Sequence, residues 1–475
     1  MRTLFLNPPS YGGFDGGAGA RYQARREIRS FWYPTWLAYA AGLVPESRLL
    51  DAPPANMGID EVLHQARGFD LIIINTSTPT ISNDTRIAEL LKDRYPGVKV
   101  GFVGPHTIIL PNETLDSSKA IDFVTTGEFD YAVAEIASGV PFEKVDGIAF
   151  RSGCDITRTP DRPPVENLDA LPFVTDIYAR DLTIENYYNG YLQHPYISLY
   201  TGRGCRSRCT FCLWPQTISG HNYRVRSTEN VHEEMVHAMR LFPQVKEFFF
   251  DDGTFTDNQP RAIELARKLK NLGITWSCNA RVSVARETLT VLKDAGLRLL
   301  TVGFESGNQQ ILNNVKKGIR IEQSRDFMKS ARELGILVHG AFILGLPGET
   351  AETMEQTIRF ALELDPYSIQ VSLLAPYPGT EIYAKGIKEG WIVREEGGLV
   401  RAGIQNAVVS YQGLSREAIF EMVERFYRRF YLRPQPILRI LGEMLRDRDE
   451  FRRRIREGRE FFSFMAKRKE AIKPQ

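Results

Sequence analysis

The chain is poor in cysteine and carries no surplus of either charge. Five cysteines occur in 475 residues. Cys205, Cys209 and Cys212 crowd together, while Cys154 and Cys278 lie far off. That pattern is no framework of paired disulfides, and it points to a reducing compartment with a metal site. The net charge of +2 at pH 7 gives no reason to expect nucleic acid or another polyanion as a partner. Long hydrophobic runs are missing as well. No stretch reaches the roughly 20 apolar residues of a membrane-spanning helix. The opening MRTLFLNPPS has no apolar region behind a basic head. Neither a membrane span nor a signal peptide is expected, and the protein should be cytoplasmic. Length, in contrast, is plentiful. A chain of 475 residues exceeds one ordinary core and predicts two or three domains.

The order of apolar runs predicts an α/β protein in three parts. Over residues 1–142 the short runs TLFLN, RLLDA, DLIIINTS, VKVGFVG and AIDFVTTG alternate with helical stretches such as DTRIAELLKDRY. Short apolar strands alternating with helices predict a doubly wound, Rossmann-like parallel sheet. Ligands on such sheets sit beyond the carboxyl ends of the strands. Small and hydroxylated residues stand there: Ser77, Thr78 and Pro79, then Gly104 and His106, then Gly127 and Glu128. The first strand is followed by the glycine-rich PPSYGGFDGGAG, which includes Gly12. Residues 143–188 read as a connector with a β-like patch, VDGIAF. Over 189–406 six strand–helix repeats follow, with strands YISLYT, KEFFFDD, TWSCNARV, LLTVGFES, VHGAFILG and SIQVSLLA. Six consecutive repeats fit a partial, TIM-like (β/α)6 barrel. Residues 407–475 form a helical, basic tail, with about 17 Lys and Arg against about 10 Asp and Glu from Arg416 onward. Arginines interleaved with aromatics there suit peripheral contact with an anionic membrane surface.

The segment CRSRCTFC, Cys205 to Cys212, carries the chemistry. A cubane iron–sulfur cluster usually takes four cysteines. Three thiolates in one loop leave one iron open. Structural zinc wants four ligands, usually in two separated pairs, and no second Cys/His pair stands at suitable spacing. The loop directly follows the first barrel strand, which puts it on the face where such barrels hold their active sites.

These residues resemble the radical SAM superfamily (SAM, S-adenosylmethionine), in the branch with an N-terminal cobalamin-binding domain. The CxxxCxxC loop after strand one is one element of the likeness. Asp251-Asp252-Gly253 after strand two, Arg281 after strand three and Gly303-Phe304-Glu305-Ser306-Gly307 after strand four are others, with GAFILGLPGE on strand five and the turn Tyr377-Pro378-Gly379-Thr380. The resemblance implies a 4Fe–4S cluster on Cys205, Cys209 and Cys212. It implies SAM held by Phe211, Asp251, Asp252, Arg281, Glu305, Ser306, Leu344 and Gly345. It implies cobalamin against Gly12, Ser77, Thr78, Pro79, Gly104, His106, Gly127 and Glu128. The Asp-x-His-x-x-Gly segment that offers a histidine to cobalt in other cobalamin proteins is lacking, so the lower corrin face is expected against Ser77–Pro79 or a water.

Within that family the chain is most similar to proteins of hopanoid lipid biosynthesis. This likeness implies a ring contraction that turns the sugar head group of a bacteriohopanetetrol derivative into a cyclitol ether, with a flavodoxin- or ferredoxin-type reductant. Two alternatives are kept: a cobalamin-dependent radical C-methyltransferase and a non-enzymatic iron–sulfur or cobalamin carrier. Trp32, Tyr33, Trp36 and Trp214 are expected in a core or along an apolar channel. Cys154 and Cys278 are expected as plain thiols, with Cys278 near the barrel cavity.

Overall fold

The computed structural model describes residues 1–10, 27–153, 155–393, 398–401, 404–445 and 448–472. Gly12 and Cys154 lie outside the described residues. The first sheet has seven strands: β1 (Thr3–Asn7), β2 (Arg48–Asp51), β3 (Leu71–Asn75), β4 (Lys99–Val103), β5 (Phe123–Thr125), β6 (Ile148–Ser152) and β7 (Asp155–Arg158). Their order is β2-β1-β3-β4-β5-β6-β7. The first five run parallel, and β6 and β7 add antiparallel. The hairpin in the expected connector thus extends the sheet and covers the edge that β5 would otherwise expose. The order reverses between β1 and β3, the topological switch point where doubly wound sheets open a ligand crevice.

The sequence explains why this sheet is buried on both faces. Its strands are continuous apolar runs rather than alternating ones. Alternate side chains of β1 and β3 go to opposite sides. Leu4, Leu6, Ile72 and Ile74 join one core. Phe5, Leu71 and Ile73 join the other, which runs on without a break into the barrel.

The barrel strands are β8 (Tyr196–Leu199), β9 (Glu247–Phe250), β10 (Trp276–Ala280), β11 (Leu297–Glu305), β12 (Leu337–Leu344) and β13 (Ser368–Leu373). They pair in sequence order, all parallel, as an open six-stranded sheet. All six are the segments read from the sequence. Cys278 lies within β10, fully buried, and burial pushes its thiol well above the usual range. A set of tyrosines joins the two units. Tyr33 stacks on Tyr187 at 4.0 Å and meets Tyr196 edge-on at 5.5 Å. Each hydroxyl finds a partner: Tyr33 donates to the Tyr196 carbonyl, Tyr196 to the Phe31 carbonyl and Tyr187 to Asp51. Aromatic pairs of this kind add about 0.5–1.5 kcal/mol each beyond their buried area.

The tail forms the helices Arg416–Tyr431, Pro434–Met444 and Arg448–Ile472. Tyr427 and Tyr431 accept hydrogen bonds from the Val371 and Ile369 amides of β13, so the first tail helix covers the open barrel edge. Leu438 and Leu441 on the second, and Leu445 just after it, are exposed. Among the described residues no helix is long and apolar enough to cross a membrane.

Candidate active site

The three cysteines sit where the barrel geometry requires, in the loop that leaves the carboxyl end of β8. Cys205 and Cys209 are buried, Cys212 is half-buried, and all three are free thiols. The loop is held from several sides. Gln216 donates its side-chain amide to the carbonyls of Cys209, Thr210 and Cys212 at 3.2, 3.1 and 2.8 Å. Its amide oxygen accepts from the Glu381 backbone, and the Ile382 amide donates to the Thr210 carbonyl. The turn Tyr377–Thr380 after β13 is thereby tied to the loop. Gly204 just before Cys205 has φ +96°, and a Cβ there would collide with the Asn222 carbonyl. Among the described residues no three His, Cys, Asp or Glu side chains converge on one metal-ion position. A cubane asks for something different, with each thiolate on its own iron. Three thiols outside any disulfide, on one clamped loop, are a donor set that fits it.

Two acids after β9 take different places. Asp251 accepts from Asn279 at 2.9 Å. Asp252, expected to meet SAM, is fully buried and accepts from the Thr201 amide, the Thr201 hydroxyl and the Tyr223 hydroxyl at 2.6–2.7 Å. Its carboxyl anchors the strand that leads into the cysteine loop, and burial pushes its pKa up against those bonds.

Arg281 reaches over the loop, donating to the Ser207 hydroxyl and the Lys317 carbonyl. At the end of β11 the pairing with β12 slips between Gly303 and Glu305. Glu305 takes φ +63°, a left-handed conformation that costs a non-glycine residue about 1–3 kcal/mol. The bulge re-aims its carboxylate into a buried ion pair with Lys317 at 2.7 Å. A Cβ at Gly303 would collide with that pair. Burial draws the Lys317 pKa down, but the charges of Glu305 and Cys209 outweigh it and leave the lysine raised. The sequence reading missed Lys317, because NNVKKG after a short helix carries no periodic or spacing signal.

Ser306, also expected to meet SAM, is fully buried, its hydroxyl sharing a hydrogen bond with Thr357 and accepting from the Asn308 amide. Leu344 belongs to the core. The Gly345 amide donates to Glu349, and its carbonyl accepts from the Tyr411 hydroxyl. Phe211 is half-buried and packs against the core.

Glu349 therefore shapes the turn after β12, and burial raises its pKa from 4.5 to about 8. A carboxyl raised on folding stabilises below its unfolded pKa and loses that contribution as pH rises through the folded value. Wild-type stability should fall between about pH 4.5 and pH 8 by up to roughly 1.4 kcal/mol per unit from this group. Glu349→Gln should flatten that slope, as read from melting temperatures of the two proteins at about pH 6 and about pH 8.

The strand ends of the first sheet form the other half of the site. Gly104 has φ +119°, and a Cβ there would collide with the Thr76 carbonyl. The Thr125 and Thr126 hydroxyls are buried without a hydrogen-bond partner. Thr78 shares a hydrogen bond with His106 Nδ1 at 3.1 Å. Burial lowers His106 from 6.5 to about 4, so it is neutral at physiological pH. A tight backbone approach and buried hydroxyls without partners at the carboxyl ends of adjacent parallel strands fit a broad polar ligand such as a corrin. Gly127 lies half-buried beside them.

Glu128, expected against cobalamin, meets Arg224 through its carboxylate in a two-pronged pair at 2.5 and 3.0 Å and accepts from the Val165 amide. Arg203, two residues before Cys205, lies 3.5 Å from Glu128 and grips Asp130 at 2.7 and 2.9 Å. Its guanidinium also lies 4.1 Å from the ring centre of Trp36, which stacks on Trp214 at 6.1 Å. All four charged groups are buried, so the cysteine loop is bolted to the end of β5. Tyr33 and Trp36 are core residues.

Comparison with known proteins agrees with this layout. Residues 199–361 match the radical SAM superfamily, and residues 24–137 match the B12 binding domain. An uncharacterized methyltransferase of Pyrococcus horikoshii is 29% identical over 93% of this chain and 95% of its own. An anaerobic magnesium-protoporphyrin IX monomethyl ester cyclase of Rubrivivax gelatinosus is 26% identical over 91% and 78%. The fold matches the radical S-adenosylmethionine methyltransferase TsrM of Kitasatospora setae, solved with cobalamin and a 4Fe–4S cluster. The TM-score is 0.62 at 17% identity, covering 82% of this chain and 74% of that one. The chain thus pairs a segment similar to the B12 binding domain with one similar to the radical SAM superfamily, with a 4Fe–4S cluster, SAM and cobalamin as its cofactors.

Proposed function

We propose that this chain is a cobalamin-dependent radical SAM methyltransferase that places a methyl group on a carbon of a small-molecule substrate. The observation that carries the reading is the buried junction of Arg203 with Asp130 and Glu128, which holds the cysteine loop against the strand ends of the B12 binding domain. Chemistry that passes a group between two cofactors needs such a fixed approach. The names of the Pyrococcus relative and of TsrM support methyl transfer. The ring contraction of a hopanoid head group, expected from the sequence, has no such support among the relatives reported above.

When bound, the cluster and SAM supply a 5′-deoxyadenosyl radical, and cobalamin supplies a carrier for the methyl group. The protein's own part is holding and positioning. Cys205, Cys209 and Cys212 hold three irons, with Lys317 as the nearby positive charge. Asp251 suits the SAM ammonium and Arg281 its carboxylate. The Thr125 and Thr126 hydroxyls and the Thr78–His106 pair face the corrin. Electrons come from an external low-potential reductant of flavodoxin or ferredoxin type.

The test uses SAM with a deuterated methyl group, added anaerobically with reductant to holoenzyme and an extract of cells lacking this protein. Methyl transfer should yield S-adenosylhomocysteine, 5′-deoxyadenosine and one extract metabolite carrying the label. Deoxyadenosine without homocysteine product or label would reject methyl transfer in favour of a rearrangement.

A further inference from the structure

A second cavity, of about 340 Å³, lies at the opposite end of the barrel from the cysteine loop. His339 near the start of β12 and Ser368 at the start of β13 mark that end. Its walls come from the segment before β8, the amino ends of β12 and β13, and the tail helices. Trp32, Tyr191, Ile369, Tyr431, Ile440 and Phe461 supply aromatic and aliphatic surface. The Tyr427 and Tyr431 hydroxyls already serve the backbone of β13.

Several charged side chains of the lining are engaged by other protein charges. Arg454 meets Glu443 at 2.6 Å and Glu457 at 2.7 Å. Arg439 lies over the Tyr367 ring and has Asp365, outside the lining, at 3.9 Å, and its Nη2 is buried without a hydrogen-bond partner. An occupant therefore meets mainly hydrocarbon and ring faces, with Arg439 as a polar point on the wall. The mouth is apolar as well: Leu432 is 62% exposed and Phe462 is 65% exposed.

Gly458 gives the cavity its depth. It stands in the interior of the helix Arg448–Ile472, where glycine is unfavourable compared with alanine. No close neighbour explains it, since a Cβ there would meet nothing within 4 Å. The missing side chain leaves open space at the wall.

We propose that this cavity binds a linear hydrocarbon chain, the tail of a fatty acid or of a lipid, apart from the reaction site. If each chain atom takes about 30 Å³, the space holds roughly ten of them. The proposal does not depend on which reaction the cofactors perform.

The probe is cis-parinaric acid, titrated into the full-length protein and read by its fluorescence. Saturable binding of one probe per chain is expected, with displacement by palmitate. Displacement by lysophosphatidylcholine as well would identify the chain alone as the recognised feature, and displacement by palmitate only would identify a free fatty acid. Gly458→Ala should bind as wild type. Gly458→Phe should fill the space and weaken binding at least about tenfold, while 5′-deoxyadenosine formation stays unchanged. Ile440→Glu, which puts a charge in the wall, should weaken binding similarly and decides the matter if Gly458→Phe does not fold. No saturable binding by wild type, no displacement by either competitor, or wild-type affinity in folded Gly458→Phe and Ile440→Glu would overturn the proposal.

Discussion

Cys209→Ala protein, reconstituted anaerobically with iron and sulfide, is expected to lose nearly all 4Fe–4S absorbance and to form no detectable 5′-deoxyadenosine from SAM. The reason lies in the arithmetic of ligands. With three cysteines the cluster already lacks one protein sulfur. Removing another leaves two irons without thiolate, and the only other described free cysteine, Cys278, is fully buried within β10. The fold itself should survive. Cys209 contributes little apolar area, and the loop's clamps run through backbone carbonyls and Gln216. Circular dichroism and bound cobalamin should match wild type. Retention of full cluster absorbance and SAM cleavage would remove Cys209 from the ligand set.

Arg203→Leu should destabilise the protein by about 3–5 kcal/mol, the usual cost of breaking a buried ion pair from one side. Asp130 would keep a buried carboxylate with both of its strong donors gone. Glu128 would keep Arg224. Leucine also forfeits the stacking of the guanidinium on Trp36 and Tyr39. Arg203→Lys should fall between the two proteins, because a lysine restores the charge but not the planar fork that grips Asp130 at two points. Thermal unfolding should show the order wild type, lysine, leucine, with a drop of several degrees at the last step. Because Arg203 stands two residues before Cys205, the leucine protein should also lose reconstituted cluster faster on dilution. Equal melting temperatures for the leucine and wild-type proteins would mean the cluster of charges holds nothing together.

Much of this was legible in the chain. All twelve apolar runs quoted from the sequence contain strands of the two sheets, because continuous apolar runs bounded by turns admit few other fates. The carboxyl-end location of the cysteine loop followed from chain order alone. What the sequence could not show was which strand-end side chains face a ligand and which face each other. Glu128 and Asp252 stand at strand ends, yet both are taken by partners distant in sequence, Arg224 at a separation of 96 residues and Thr201 at 51. A strand end gives an address on the correct face of the sheet, whereas a charge pair depends on how two units dock. The β6–β7 hairpin was missed as part of the first sheet for a similar reason, since edge pairing leaves no mark in a four-residue strand.

The core that runs unbroken from one face of the first sheet into the barrel has an evolutionary reading. Neither unit owns its inner surface alone, so neither can be swapped for a relative's counterpart as an independent module. A chimaera would have to import both sides of the seam together, the tyrosines and the buried charges included, and drift at one bank must be answered at the other.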